Sequence, residues 1–486
     1  MESEGKLTKK IILSSNLLAP ARFIITVNES SDGAEKMFEV SGLDAQQNTV
    51  VISQPINERN PQAYLKFFQN LGANFDLHVP FRQAKLRQQE TPELTLDVLL
   101  SENLAPDMIY GYGDPAVTRV FDHNGYKSSY YLLVSSYDAL DSFPILWSEN
   151  LSDWTFKGCV FPRGKQPFWT VAHGTGTEFR SAEIHLIGIE FRVYFVARDR
   201  LSWQLCIGMA KSLFPEGPYV ADQEPILKQN VVDPHVFVYD PETVYLFWKE
   251  DNNTVWPGLL TKLLYNHAEF IELLFEGATA RNTASFTMTL WPWIQTLEAK
   301  EHFMAMQSLV DCITTSFYSF YQKLFNLSRG KPDALRDEIY TILKFMKTPI
   351  YGQQLSPDGS SLVREKIKVI ENDQEWEAHV VDGIWIARHE GVYLLFYVGN
   401  DISNAQYGIG LAIAKAPLGP YVKNKRPIIH AGQTEWSPGH PCIVAGPDGI
   451  SRLIMHGYYP DQTGYKQFQV LLSIPIRFAN NKVKLG

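Results

Sequence analysis

Two distant stretches of the chain repeat one another. Ile207-Gly208-Met209-Ala210-Lys211-Ser212, followed by Pro215-Glu216-Gly217-Pro218-Tyr219-Val220, returns as Leu411-Ala412-Ile413-Ala414-Lys415-Ala416, followed by Pro417-Leu418-Gly419-Pro420-Tyr421-Val422. Each copy reads as a strand of small residues, a turn whose Gly-Pro fixes the backbone, and the start of a further strand. A repeat of this kind constrains the fold strongly, because a unit that cannot bury its own apolar face has to stack on its neighbours. Ile145 to Trp154 follows the same strand-then-turn logic with different residues. From about residue 108 onward, aromatic strand-like runs alternate with Gly/Pro/Asn/Asp clusters. Five such units fit between 108 and 486 once one helical interruption is removed. The expectation is an all-β fold, a five-bladed β-propeller.

The interruption spans 256–346, where Ala305, Leu309, Cys312, Ile313, Phe317, Phe320, Tyr321 and Leu324 recur at helical spacing. The stripe of Phe317, Tyr318, Phe320, Tyr321 and Phe325 reads as helix packing, with a ligand groove as the alternative. Trp291 and Trp293 are a candidate sugar-stacking platform. Residues 1–107 read as a small α+β appendage, with strands at Arg22–Val27 and Thr49–Ser53 and a helix at Gln62–Leu71. The propeller is therefore expected at 108–255 and 347–486, with 256–346 as a helical insertion.

Three aspartates precede aromatic runs in what reads as one register. Gly113-Asp114-Pro115 precedes Tyr130–Val134, Val232-Asp233-Pro234 precedes Val244–Trp248, and Val381-Asp382-Gly383 precedes Val392–Tyr397. A single Asp-Pro is ordinary turn chemistry. Three on strands around one axis can converge on one pocket, as acid–base chemistry at a sugar bond requires. A formal charge of −9, without basic runs interleaved with aromatics, argues against a nucleic-acid partner. No stretch is long and apolar enough to span a bilayer. A brief apolar stretch after Lys10 lacks the h-region of a secretory signal, so a cytoplasmic protein is the expectation. Cys159, Cys206, Cys312 and Cys442 form no CxxC pair and read as free thiols.

These motifs, in this order, resemble glycoside hydrolase family 43, whose members are five-bladed propellers acting as inverting arabinofuranosidases and xylosidases. The resemblance rests on Gly113-Asp114-Pro115-Ala116-Val117, Trp147 to Trp154, Val232 to Phe237 with Tyr245 to Asn253, Asn372 to Trp385, and Ser437-Pro438-Gly439-His440-Pro441. It implies that Asp114 is the general base and that Asp233 tunes and orients the acid. The logic is physical as well. An inverting hydrolase needs two carboxyl groups roughly 6.5–9.5 Å apart, one to take a proton from water and one to give a proton to the leaving oxygen. A third carboxylate raises the acid's pKa by like-charge repulsion.

The acid position departs from the family, which has Glu-Gly-Pro where this chain has Asp382-Gly383-Ile384. Aspartate withdraws the donor by about one C–C bond, ~1.5 Å, and a displacement of about 1 Å can cost on the order of a hundredfold in rate. Asp382, Glu377 or no general acid at all remain open. Phe179-Arg180-Ser181-Ala182-Glu183 stands where the family usually has Phe-Trp-Ala-Pro-Glu. Arg180 reads either as a cation for a ligand carboxylate or phosphate, or as a packing change. Glu183, Trp169 and Trp385 are further substrate-binding candidates. The resemblance places His440 in the central channel near a calcium ion held through water, with a satisfied core histidine as the alternative; no other cofactor is implied. The leading reading is an inverting, exo-acting glycosidase for small oligosaccharides or glycosides. The alternative is a propeller repurposed for binding or a non-hydrolytic reaction.

Overall fold

The computed structural model describes residues 8–14, 22–29, 36–43 and 49–55 as backbone strands, then 94 and 96–486 apart from 106–107, 123, 126, 172–175, 290, 296–298, 403–405, 431–435, 459–466 and 480–481. The chain divides into two compact units, Met1–Pro80 with Asn253–Met346, and Phe81–Asn252 with Lys347–Gly486. This corrects the expected boundary at 107.

In the first unit, Thr8–Ser14, Arg22–Glu29, Lys36–Leu43 and Thr49–Pro55 form an antiparallel four-stranded sheet in chain order. Two of these strands contain the expected ones; the helix expected at Gln62–Leu71 lies outside the described residues. Seven helices between Val255 and Phe345 are described in the same unit. Phe317, Phe320 and Leu324 are buried there, and Phe320 packs on Phe275 with ring centroids 5.1 Å apart, so Phe317 and Phe320 of the aromatic stripe are helix packing. Trp291 is buried beside His302, which removes it from the sugar-platform reading; the side chain of Trp293 lies outside the described residues.

The second unit is a ring of five antiparallel sheets, each meandering outward in chain order. Their innermost strands are Ala116–Phe121, Arg180–Ile187, Val231–Asp240, Val381–His389 and Trp436–Ala445. Each touches the next, and the fifth touches the first, which closes a five-bladed propeller. Closure draws on residues that sequence reading assigned to the appendage. Asp97–Leu100 pairs with Val470–Ala479 of blade five, and the Tyr112 N–H donates to the Gln469 carbonyl at 2.9 Å.

Five buried apolar clusters fill the five interfaces between blades. This explains the aromatic runs. In Tyr130–Val134, Tyr131 and Leu133 face the cluster shared with blade two, whereas Tyr130, Leu132 and Val134 face the one shared with blade five. A strand buried on both faces has no polar side to show, so it reads as a continuous apolar run.

Glycines on the third strands of blades two to four, Gly208 of the sequence repeat among them, have a packing cause. Gly208, Gly352 and Gly410 lie directly across from Phe195, Phe247 and Tyr397 on the neighbouring strand. A methyl group on Gly208 would meet the Trp169 ring at 2.5 Å and the Phe195 ring at 2.7 Å, and one on Gly410 would meet the Tyr397 ring at 2.4 Å. The turns repeat as well, since Tyr219 and Tyr421 each donate a phenolic hydrogen bond of 2.9 Å to the carbonyl four residues earlier, Pro215 and Pro417. Gly208→Ala and Gly410→Ala should each destabilise the propeller by roughly 1–3 kcal/mol through overpacking, read as a lower urea midpoint with an unchanged slope.

Candidate active site

Every blade places a left-handed residue at or just before its inner strand: Asp114 (φ 50°), Ser181 (52°), Asp233 (54°), Gly383 (51°) and Ser437 (52°), with His440 (48°) a second one in blade five. In blades two to five the pairing register shifts at this point. Such a bulge turns a side chain out of the regular alternation, and non-glycine residues adopt it only under constraint. Asp114 and Asp233 share this position. Asp382 does not, because the left-handed residue of blade four is Gly383. Asp382 instead matches Gly113, Arg180 and Val232, one step earlier, which corrects the common register read from the sequence.

Asp114 is buried. Its Oδ2 accepts from Ser135 Oγ at 2.6 Å and from Ser181 Oγ at 3.1 Å, and its Oδ1 faces His440 Nδ1 at 3.3 Å and His456 Nδ1 at 3.6 Å. Burial alone would raise its pKa, but His440, His456, the Ser135 hydroxyl and Arg180 together hold it below the usual carboxylate value. His456 Nδ1 accepts the Asp114 N–H at 3.1 Å, and burial pushes its own pKa down to about 4. It is therefore neutral near pH 7, where its contribution is this hydrogen bond rather than a charge.

Asp233 Oδ1 lies 3.0 Å from the same Ser181 Oγ, and its Oδ2 accepts the Gly383 N–H at 3.1 Å, so blade three holds the bulge beside Asp382. Asp382 behaves oppositely to Asp114. Burial, followed among the raising influences by the negative charge of Asp233, lifts its pKa to about 6, against the pull of Lys249, whose Nζ lies 3.5 Å away, and of His440. Asp114, Asp233 and Asp382, from blades one, three and four, thus meet in one electrostatically linked cluster. Tyr407 belongs to it as well, its phenol pushed well above the ordinary value by burial and by the charges of Asp382 and Asp114. Its ring occupies the space that a side chain at Gly439 would fill.

Glu377 is held elsewhere. It is fully buried in the loop before blade four, where its carboxylate accepts from Lys423 Nζ at 2.8 and 2.9 Å, from Tyr397 Oη at 2.6 Å, and from the N–H groups of Asp373 and Gln374. Both oxygens are spent as acceptors in this anchor, so the structure does not bring Glu377 into the aspartate cluster. Trp169 is also displaced from the expected role, since it is buried in the blade-two core, stacked on Phe195.

Glu183 is a tie between blades. His235 Nε2 accepts the Ile386 N–H at 2.9 Å, so its proton sits on Nδ1, which donates to Glu183 at 2.9 Å; His185 and the Val236 N–H also donate to Glu183. Against burial, His235 and His185 bring the Glu183 pKa to about 2. Trp385 packs beside His235 with centroids 4.8 Å apart and is half-buried. Arg180 faces Asp251 at 3.6 Å and lends positive charge to Asp114, which makes it an internal counter-ion.

Among the described residues, no group of three or more His, Cys, Asp or Glu side chains is arranged to hold a metal. His440 Nδ1 lies 3.3 Å from Asp114 Oδ1, its charged neighbour. Among the described residues, no helix is long and apolar enough to cross a membrane.

Sequence reading missed Ser135, Ser181, Lys249 and Tyr407. Only Ser181 carried a signal, by lying at the blade-two counterpart of Asp114 and Asp233.

A five-bladed propeller with three carboxylates gathered at its inner strands from blades one, three and four defines a class of carbohydrate-active folds. The model of glycosyl hydrolases family 43 matches residues 109–268 and 339–481, and the chain belongs to that family. It is 38% identical over 71 residues, 15% of this chain, to a xylosidase/arabinosidase 43A from Humicola insolens, and the match spans about a fifth (20%) of that protein's length. A thermostable family-43 glycoside hydrolase superposes with a TM-score of 0.52 at 21% identity, covering 77% of this chain and 92% of that one. An endo-1,4-beta-xylanase from Bacteroides thetaiotaomicron gives 0.49 at 17% identity, covering 81% and 96%. Nothing in these comparisons supports the repurposed-propeller alternative.

Acid should loosen this unit. His456 and His379 are buried with pKa values lowered to about 4 from the usual 6.5, so the unfolded chain takes up protons first as pH falls. Thermal stability should drop between about pH 6.5 and 4, and His456→Gln should flatten that slope; an unchanged slope in the variant would remove His456 from the account.

Proposed function

We propose that the protein is an inverting, exo-acting glycosidase for small arabinofuranosides, xylosides or short oligosaccharides. The observation that carries this reading is the opposed tuning of two carboxyl groups in one cluster. Asp114 is held low, fit to act as a base, while Asp382 is held high, fit to stay protonated as an acid. Burial, aided by the charge of Asp233, holds Asp382 high, while His440, His456, Ser135 and Arg180 hold Asp114 low. In this reading, Asp114 draws a proton from water as the water oxygen bonds to the anomeric carbon, and Asp382 protonates the leaving oxygen as the glycosidic bond breaks. The xylosidase/arabinosidase name of the short-range relative favours pentose substrates.

The test is turnover of aryl arabinofuranosides, xylosides and galactofuranosides, with the anomer of the first-formed product read by NMR. Asp114→Ala should abolish turnover. A retained anomer, or full activity in that variant, would sink the mechanism. Asp382→Ala should lose roughly 10²–10⁴-fold on glycosides with poor leaving groups but far less on dinitrophenyl glycosides, which need no acid; Glu377→Gln should show no such split.

The alkaline limb of the rate profile should lie near the Asp382 value of about 6, because the acid works only while protonated. Lys249 favours the ionised form, so Lys249→Met should move that limb upward. A limb that stays put or moves down would assign it to another group.

A further inference from the structure

Ser181 stands between the two carboxylates of the inner ring. Its Oγ lies 3.1 Å from Asp114 Oδ2 and 3.0 Å from Asp233 Oδ1, and the residue is 1% exposed. Its N–H donates to Ser135 Oγ at 2.8 Å, which turns the Ser135 hydroxyl proton toward Asp114 Oδ2 at 2.6 Å. One residue therefore grips Asp114 twice, directly and through Ser135, while touching Asp233 as well. A hydroxyl has a single proton and can donate it to one carboxylate at a time. The left-handed backbone at φ 52° is a conformation that serine rarely adopts, and here it aims the hydroxyl between the two groups.

We propose that Ser181 is a positioning residue that ties Asp114 and Asp233 into one unit and gives its proton to whichever of them carries the greater charge. This deepens the glycosidase reading and rests on it. With Asp114 ionised, Ser135 and Ser181 both donate to Oδ2, so Oδ1 is the oxygen that receives the proton of water. Once Asp114 has that proton, the Ser181 hydroxyl turns to Asp233, and its charge bears less on Asp382 just as Asp382 releases its own proton. No bond to serine forms or breaks. The transferred protons are those from water to Asp114 and from Asp382 to the leaving oxygen.

Two variants separate this role from a structural one. Ser181→Gly removes the hydroxyl and suits the left-handed backbone, whereas Ser181→Ala removes the same hydroxyl and keeps the strain. Both should lose roughly 10- to 100-fold in kcat with KM nearly unchanged, while the melting temperature of the glycine variant matches or exceeds wild type and that of the alanine variant falls. If activity follows stability, so that Ser181→Gly is as fast as wild type, the proposal is overturned. A crystal structure of Ser181→Gly gives a readout independent of turnover. The Asp114 carboxylate should leave its single orientation against Ser135; an unmoved Asp114 and Asp233 would also overturn the proposal. A wild-type protein inactive on every glycoside would defeat the glycosidase reading and leave the crystallographic result to decide the role of Ser181.

Discussion

The chemistry at the propeller axis depends on a backbone turn that L-residues avoid. A regular inner strand would send alternate side chains into the interfaces on either side, as Tyr130 and Tyr131 do on the next strand out. A left-handed residue at or just before the start of each inner strand breaks that alternation. Each such conformation costs about 1–2 kcal/mol for a non-glycine residue, and it persists because the surroundings over-determine it. Asp114 is held by Ser135, Ser181 and His456, and Asp233 by Ser181 and the Gly383 N–H. At Asp114 the contacts from Ser135 and His456 that hold the turn also lower the carboxylate's pKa, so geometry and acidity are set by the same groups.

Below this layer, Glu183, His235 and Ile386 form a chain of hydrogen bonds through the inner strands of blades two, three and four. A buried carboxylate with two histidines and a backbone N–H as donors is satisfied, so it stiffens the ring without destabilising it. Its low pKa keeps it an acceptor throughout the range in which Asp382 titrates. Two acidic residues a short way apart in the ring are thus driven in opposite directions, one by donors and the other by burial and a like charge.

The blades are legible in the sequence because doubly buried strands leave continuous apolar runs and the paired aromatics force small residues onto the facing strand, as at Gly208 and Gly410. Asp114 and Asp233 are legible because each precedes a proline ahead of such a run. The register of Asp382 is not, because the sign of φ at Gly383 leaves no mark in the chain. Glu377 misleads for a related cause. Its nearness in sequence to Asp382 says nothing of Lys423 and Tyr397, which arrive from other strands of the blade and claim its oxygens. The contribution of 97–100 to blade five was hidden because that strand pairs only with residues near the far end of the chain.

The helical segment leaves blade three after Glu250 and returns at Ile350, two positions whose strands stay paired, with Lys249 opposite Ile350. The ladder is closed on both sides of the excursion, which therefore enters the blade as the connection between its second and third strands. Loop-closure entropy grows with the logarithm of length, about 0.6 kcal/mol for each doubling. The second-to-third-strand connection of blade three is therefore a point where the chain can lengthen at a small entropic cost while the β-ladder keeps its register.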